Sequence, residues 1–373
     1  MSLEDQWIAT EKRLLHEADS MAEFLQQLRS RISPELIGDR AWEITLEHAR
    51  NLPVTVAALP FGFELPLHDP RAIADFGISV IGGGQSATFL EEKGKAEGAD
   101  ASSTSVAWLL GETESEEAIL RRIVGRKLML EYDIDIESHA PLPAPGIFLY
   151  PDKDVLVGGG GEQQLRDLFT VVDAVAHSAH LDLSAEERRQ IESVYLATKP
   201  DTWIQAVGGF PERKGGIRLS VMGFKKVNEV VSFLERVGWP GQCLAVAASA
   251  SPLEERDAFT YMGVHLDMSA DGVGETLGLN FYAREGEWLK DIQHWTPLID
   301  GIREAGVAVP EKLAELVKWA SGSEPFSGKS GQFVLMRGIH HIKLTLIHDR
   351  VEKVKGYIFL LVFAWPLTTN LSE

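Results

Sequence analysis

Short runs with a residue period of two recur in pairs along this 373-residue chain, and stretches of helical period lie between the pairs. Alternation at two sends successive side chains to opposite faces of a strand, whereas apolar residues spaced at three and four make a stripe along a helix. Strand pairs are read over 53–64 with 73–82, 127–136 with 145–151, 203–209 with 216–223 and 259–268 with 276–284. Polar, Gly- or Pro-containing turns join them. A fifth pair closes the chain in HHIKLTLIHDRVEKVKGYIFLLVFAW, from His340 to Trp365. Its apolar end, Tyr357 to Trp365, is nine residues long. A membrane-crossing helix needs about 20.

Tightly joined strands pair antiparallel, and the intervening helices need a sheet face to cover. Ten such strands strain an open twisted sheet, so closure is expected. The pattern predicts an α+β fold: a closed ten-stranded antiparallel barrel of five strand pairs, with helices on the outside. Residues 1–52 read as helices packing on the barrel domain of 53–373, with Met21, Phe24, Leu25 and Leu28 on one helical face. The alternative is an open sheet whose polar face meets water.

Within the barrel, one face of each strand is apolar. The other collects Glu131, Asp133, Asp135, Arg218, Tyr261, His265, Asp267, Asn280, Tyr282, His341, Lys343, Lys355 and Tyr357. With helices outside, these residues point inward, where so many charges must be paired or solvated. A wet, ligand-sized lumen follows.

Composition narrows the partners. With 36 Lys plus Arg against 55 Asp plus Glu, the net charge of −19 repels nucleic acid and anionic membrane in the absence of a basic patch. Cys243 is the one cysteine, so neither an intrachain disulfide nor a cysteine-based zinc site is expected, as in a reducing compartment. The start, MSLEDQWIATEKRLLHEADS, lacks the apolar stretch of a secretory signal, and a cytoplasmic protein is expected.

Five antiparallel pairs with intervening helices resemble the ABBA barrel of aromatic prenyltransferases, including indole and peptide prenyltransferases. The resemblance covers roughly residues 53 to 365 and rests on strand count, with Lys355-Gly356-Tyr357 matching the family's Lys-x-Tyr step on a strand. It implies a prenyl diphosphate as co-substrate, held by Arg218, Lys343 and Lys355. Tyr282, Tyr357 and Tyr261 would shield an allyl cation through their π faces, and Glu64 would take the acceptor's proton. The sequence departs from the family in IADFGISVIG, which carries no basic residue, and in EYDIDIE, which brings several acids to a polar face. Those acids repel a diphosphate unless Mg2+ bridges them or they pair with the basic residues.

Asp133, Asp135, Glu131, Asp267 and His265 are also an oxygen and nitrogen set for a metal, but an ion-pair network with Arg218, Lys343 and Lys355 is favoured and no dedicated metal site is expected. Gly158 to Gly161 precede a helix without the Lys-Ser/Thr of a P-loop. His177 and His180 lack the Glu of a zinc-protease helix. His340 and His341 are read on opposite faces of one strand, with only His341 in the lumen. Cys243 reads as a packing residue. Two functions remain open: transfer of a prenyl group to an aromatic or peptide acceptor in natural-product biosynthesis, or a non-catalytic barrel that binds a peptide or cationic small molecule through Glu131, Asp133 and Asp267 as accessory to a modifying enzyme.

Overall fold

A computed structural model describes residues 3–138, 143–211, 216–283, 292–319 and 322–365. Its strands are β1 (Phe61–Pro66), β2 (Asp75–Ile81), β3 (Lys127–Tyr132), β4 (Gly146–Leu149), β5 (Trp203–Gly209), β6 (Arg218–Phe224), β7 (Tyr261–Ser269), β8 (Gly272–Tyr282), β9 (Gly322–Gly328), β10 (Gly331–Ile347) and β11 (Arg350–Trp365). They form one sheet in the order β11-β1-β2-β3-β4-β5-β6-β7-β8-β10-β9, and a further pairing of β10 with β11 closes it. All pairs are antiparallel. The barrel therefore has ten strands, with β9 flanking the free half of β10.

Closure turns the barrel's apolar side outward. On β2, Phe76, Ile78 and Val80 are fully buried, while Asp75, Gly77, Ser79 and Ile81 between them are only partly so. The buried face lies under helices: Trp42, from the helix Asp39–Ala49, packs 6.1 Å from Phe63 of β1, and a side chain at Gly209 of β5 would collide with Val175 and Ala179. The other set lines the lumen. Eight strands give an interior that side chains just fill, so ten leave room. Glycines widen it further: a Cβ at Gly77 would meet nothing nearer than 3.9 Å.

Several boundaries differ from the sequence reading. Residues Val54–Ala58 form a 3-10 turn, so the first strand begins at Phe61. The closing hairpin is longer than its apolar stretch, 17 and 16 residues, and turns at His348, whose φ is 55°. β9 carries no strand signature in the sequence, since GSEPFSG has a proline and no apolar alternation. β3 ends at Tyr132, leaving Asp133 and Asp135 beyond it, because the Asp75 carboxylate takes the Ile134 amide at 2.9 Å where the ladder would continue. The turn at Glu212, Arg213 and Lys214 and the segment 284–291 lie outside the described residues.

The N-terminal helices pack directly on the barrel. From the helix Leu3–Leu14, Gln6 donates to the Ala364 carbonyl at 3.1 Å, and Thr10 accepts from the Ala364 amide at 3.1 Å. Glu17 accepts the Lys329 and Ser330 amides at 3.0 and 2.8 Å, capping the β9–β10 turn. No helix among the described residues is long and apolar enough to cross a membrane.

The inside-out arrangement has a direct test in two neighbouring residues. Ile78→Ala should cost about 2–5 kcal/mol in urea unfolding, whereas Ser79→Ala, facing the lumen, should change stability by less than about 1 kcal/mol. Equal effects would contradict the assignment of faces.

Candidate functional site

Four rings from successive strands form a band around one side of the lumen. Tyr261 of β7 and Tyr282 of β8 are register partners and stack at 4.7 Å with an interplanar angle of 6°. Tyr282 stacks on His341 of β10 at 5.1 Å, and His341 on Tyr357 of β11 at 3.9 Å. Trp203 of β5 extends the band, 6.4 Å from Tyr261. Stacked in this way, Tyr282 and His341 have both faces covered by their neighbours, and Lys343 Nζ lies 4.8 Å from the centre of the Tyr357 ring at the end of the stack.

His340 belongs here too, which corrects the sequence reading. A bulge between Ile339 and His341 breaks the alternation, so both imidazoles lie together with their Nδ1 atoms 2.7 Å apart. His340 meets Tyr282 edge-on at 5.7 Å. Burial lowers its pKa to about 4. His341 and His265 are also held well below the usual imidazole range, by burial first and then, respectively, by His340 and by Lys343. All three are neutral at pH 7.

Beside the band sits a buried ionic knot. Glu64 accepts hydrogen bonds from Lys355, from Tyr357 Oη and, at 3.5 Å, from Lys343. Burial alone would raise its pKa, but the two lysines outweigh it and hold the carboxyl well below the usual range. Burial in turn pushes Lys343 down to about 8 despite Glu64. Across the β1–β2 ladder, Asp75 is the register partner of Glu64 and is pushed up to about 8 by burial, then by the charges of Glu64 and Glu131. Asp75 is a site residue beyond those expected from the sequence, although its even spacing with Gly77 and Ser79 marks the lumen face.

Arg218 and Asp267 make a second pair, with Nε–Oδ1 at 2.7 Å and Nη2–Oδ2 at 3.0 Å. The guanidinium lies 4.9 Å over Phe210. Burial opposes its charge, but Asp267 keeps its pKa above the ordinary value. The barrel thus brings together Glu64, Lys343, Lys355, Tyr357, His341, Tyr282, Tyr261 and His265, and joins Arg218 to Asp267. Asp133 is left out: it lies past β3, where its charge acts on His48 of an outer helix.

No group of three or more His, Cys, Asp or Glu among the described residues is arranged to hold a metal ion. His177 packs on Trp108 at 4.2 Å, and His180 lies 3.2 Å from Ser105 Oγ. In the Gly158–Gly161 run, side chains at Gly158 and Gly160 would strike the Lys199 carbonyl and the Tyr195 hydroxyl, so close packing accounts for both glycines.

This closed ten-stranded barrel with outer helices is the ABBA fold of the aromatic prenyltransferases. Solved structures that share it include a 6-dimethylallyl tryptophan synthase, with a TM-score of 0.53 and 13% identity over 91% of this chain and 97% of that one. Another is the 6-dimethylallyltryptophan synthase of Micromonospora olivasterospora, in complex with DMASPP and Trp (TM-score 0.52, 13% identity, 92% and 97% covered). A third is the apo form of the prenyltransferase PriB (TM-score 0.52, 12% identity, 92% and 96% covered). At these identities the likeness is one of fold. No protein-family model matches the chain, and no curated protein matches it in sequence.

Asp75 gives the site a pH signature. A carboxyl whose folded pKa lies above its unfolded value of about 3.9 holds its proton better when folded, so its contribution to stability falls as pH rises from about 4 to about 8. Asp75→Asn should therefore gain melting temperature relative to the parent between pH 5 and pH 8. The variant-minus-parent difference cancels the titrations of groups remote from Asp75, leaving those of Asp75 and the residues coupled to it, and a difference that is flat in pH would refute the assignment.

Proposed function

We propose that the chain transfers an isoprenoid from a prenyl diphosphate to an aromatic or peptide acceptor. The observation that carries this reading is the stacked band Tyr261, Tyr282, His341 and Tyr357, with Lys343 and Lys355 at its edge. As the C–O bond to diphosphate breaks, negative charge leaves toward the ammonium groups. Each lysine spends one proton on Glu64 and keeps others for phosphate oxygens. The allyl cation left behind is walled by the aromatic band and neutral imidazoles, which offer it no nucleophilic carboxylate. The acceptor ring's carbon forms the new C–C bond, and its proton departs to Glu64. An arenium ion is a strong acid, so a carboxylate held below the usual range still accepts that proton.

One observation favours a second reading. The cations Arg218, Lys343 and Lys355 are each already matched to a carboxylate, and Glu131 adds a further acid. A non-catalytic barrel whose cations are already paired would bind a peptide or cationic ligand through its carboxylates, as accessory to a modifying enzyme.

Titration calorimetry with dimethylallyl, geranyl and farnesyl diphosphates, with and without magnesium, separates the two. On the first reading, one of them binds, Lys355→Ala weakens it about tenfold or more, and product forms with an aromatic acceptor such as tryptophan. Binding of none, together with a cationic peptide held by the parent and lost in Asp267→Asn, would establish the second.

A further inference from the structure

Asn280, on the lumen face of β8, has no solvent exposure, and neither its Oδ1 nor its Nδ2 has a hydrogen-bond partner. Two more buried polar atoms in the same patch lack partners, His341 Nε2 and His265 Nδ1. The ladder fixes their arrangement. Asn280 is paired with Lys343 on one side and Gly263 on the other. His341 is two residues from Lys343 along the same face, and His265 two residues from Gly263, so the imidazoles flank the amide diagonally.

None of these neighbours hydrogen-bonds to the amide. The Lys343 ammonium is turned to Glu64, and Gly263 and Gly278 present no side chain. A Cβ at Gly278 would come within 3.0 Å of His265 and 3.2 Å of Lys343, and one at Gly263 would strike the Met222 sulfur, so the atoms that close in first on the amide from both glycines are apolar ones, not hydrogen-bonding groups. A buried amide left unpaired lowers stability, whereas an apolar group of similar size in its place is neutral or better. A stored cost of this kind calls for a reason, and a ligand that completes the bonding supplies one.

We propose that Asn280, flanked by His265 and His341, is a recognition subsite for an uncharged amide edge on the acceptor, one N–H and one C=O side by side. The proposal rests on reading the lumen as a chamber for an aromatic acceptor. The chemistry is selective. A ligand carboxylate offers only acceptors and would oppose Asn280 Oδ1, while an ammonium offers only donors and would oppose Nδ2. An amide answers both at once. The imidazoles are uncharged and can tautomerise to meet a further donor or acceptor. Tyr282, two residues along β8 on the same face, is stacked between Tyr261 and His341 and would meet the acceptor's ring with its edge while the acceptor's amide sits on Asn280.

The test has a ligand-free and a ligand-bound arm, using the full chain with Asn280→Leu and Asn280→Ala. In unfolding without ligand, Asn280→Leu should be at least as stable as the parent. In calorimetry, the parent should bind indole-3-acetamide about ten- to a hundredfold more tightly than 3-methylindole, and both variants should lose that preference. A substantial fall in melting temperature for both variants, or a preference that survives them, would mean that Asn280 is a structural residue and would overturn the subsite. Binding of 3-methylindole with no amide advantage overturns the subsite alone. Binding of neither compound, with no prenyl product from any aromatic acceptor, overturns the aromatic-acceptor reading and the subsite with it.

Discussion

Everything in this molecule depends on the outward face of the barrel being its hydrophobic face. Residues such as Phe76, Ile78, Val221, Leu279 and Phe281 are fully buried beneath helices, and each side chain so placed contributes roughly 1.5–3 kcal/mol. Because strand side chains alternate, burying one set outside commits the other to the interior. The polar lumen is the unavoidable partner of the helical coat.

That commitment creates an electrostatic problem, which the lumen solves internally. Glu64 is surrounded by Lys343, Lys355 and Tyr357, and Arg218 is locked to Asp267. Buried charges of this kind are tolerated because they are paired and hydrogen-bonded. The residual tension appears as altered proton affinity: Glu64 falls, Asp75 and Lys343 both come to about 8, and the three imidazoles lose affinity for protons. A lumen so balanced is poised to respond to any charged guest, which shifts several of these groups together.

Much of the fold was legible because hairpins are local. Alternation at Leu219, Val221, Leu277 and Leu279 declared strands and their faces without reference to anything distant. Irregular elements were not legible: the 3-10 turn at Val54–Ala58 is as apolar as a strand, and β9 exists because β10 offers it an edge, not because GSEPFSG prefers to extend. His340 entered the site through a bulge, and one extra residue in a ladder leaves no mark on an otherwise periodic sequence. Asp133 left the site for the converse reason. Its strand pattern continues in the sequence, but the side chain of Asp75 captures the amide that would have carried the ladder onward.

The sequence by itself determined which side chains share a face, and so which would line the lumen if the sheet closed. It also determined the chemical inventory of that lining: aromatic rings, a few cations and a larger set of acids. Tertiary structure decided which of them meet. Glu64 and Lys343 are 279 residues apart and come into contact through β11, which pairs with β1 on one edge and β10 on the other. Local propensity acts over a few residues, whereas closure and register are set by the joint packing of all the strands and helices. The encounters that make a site are therefore fixed last.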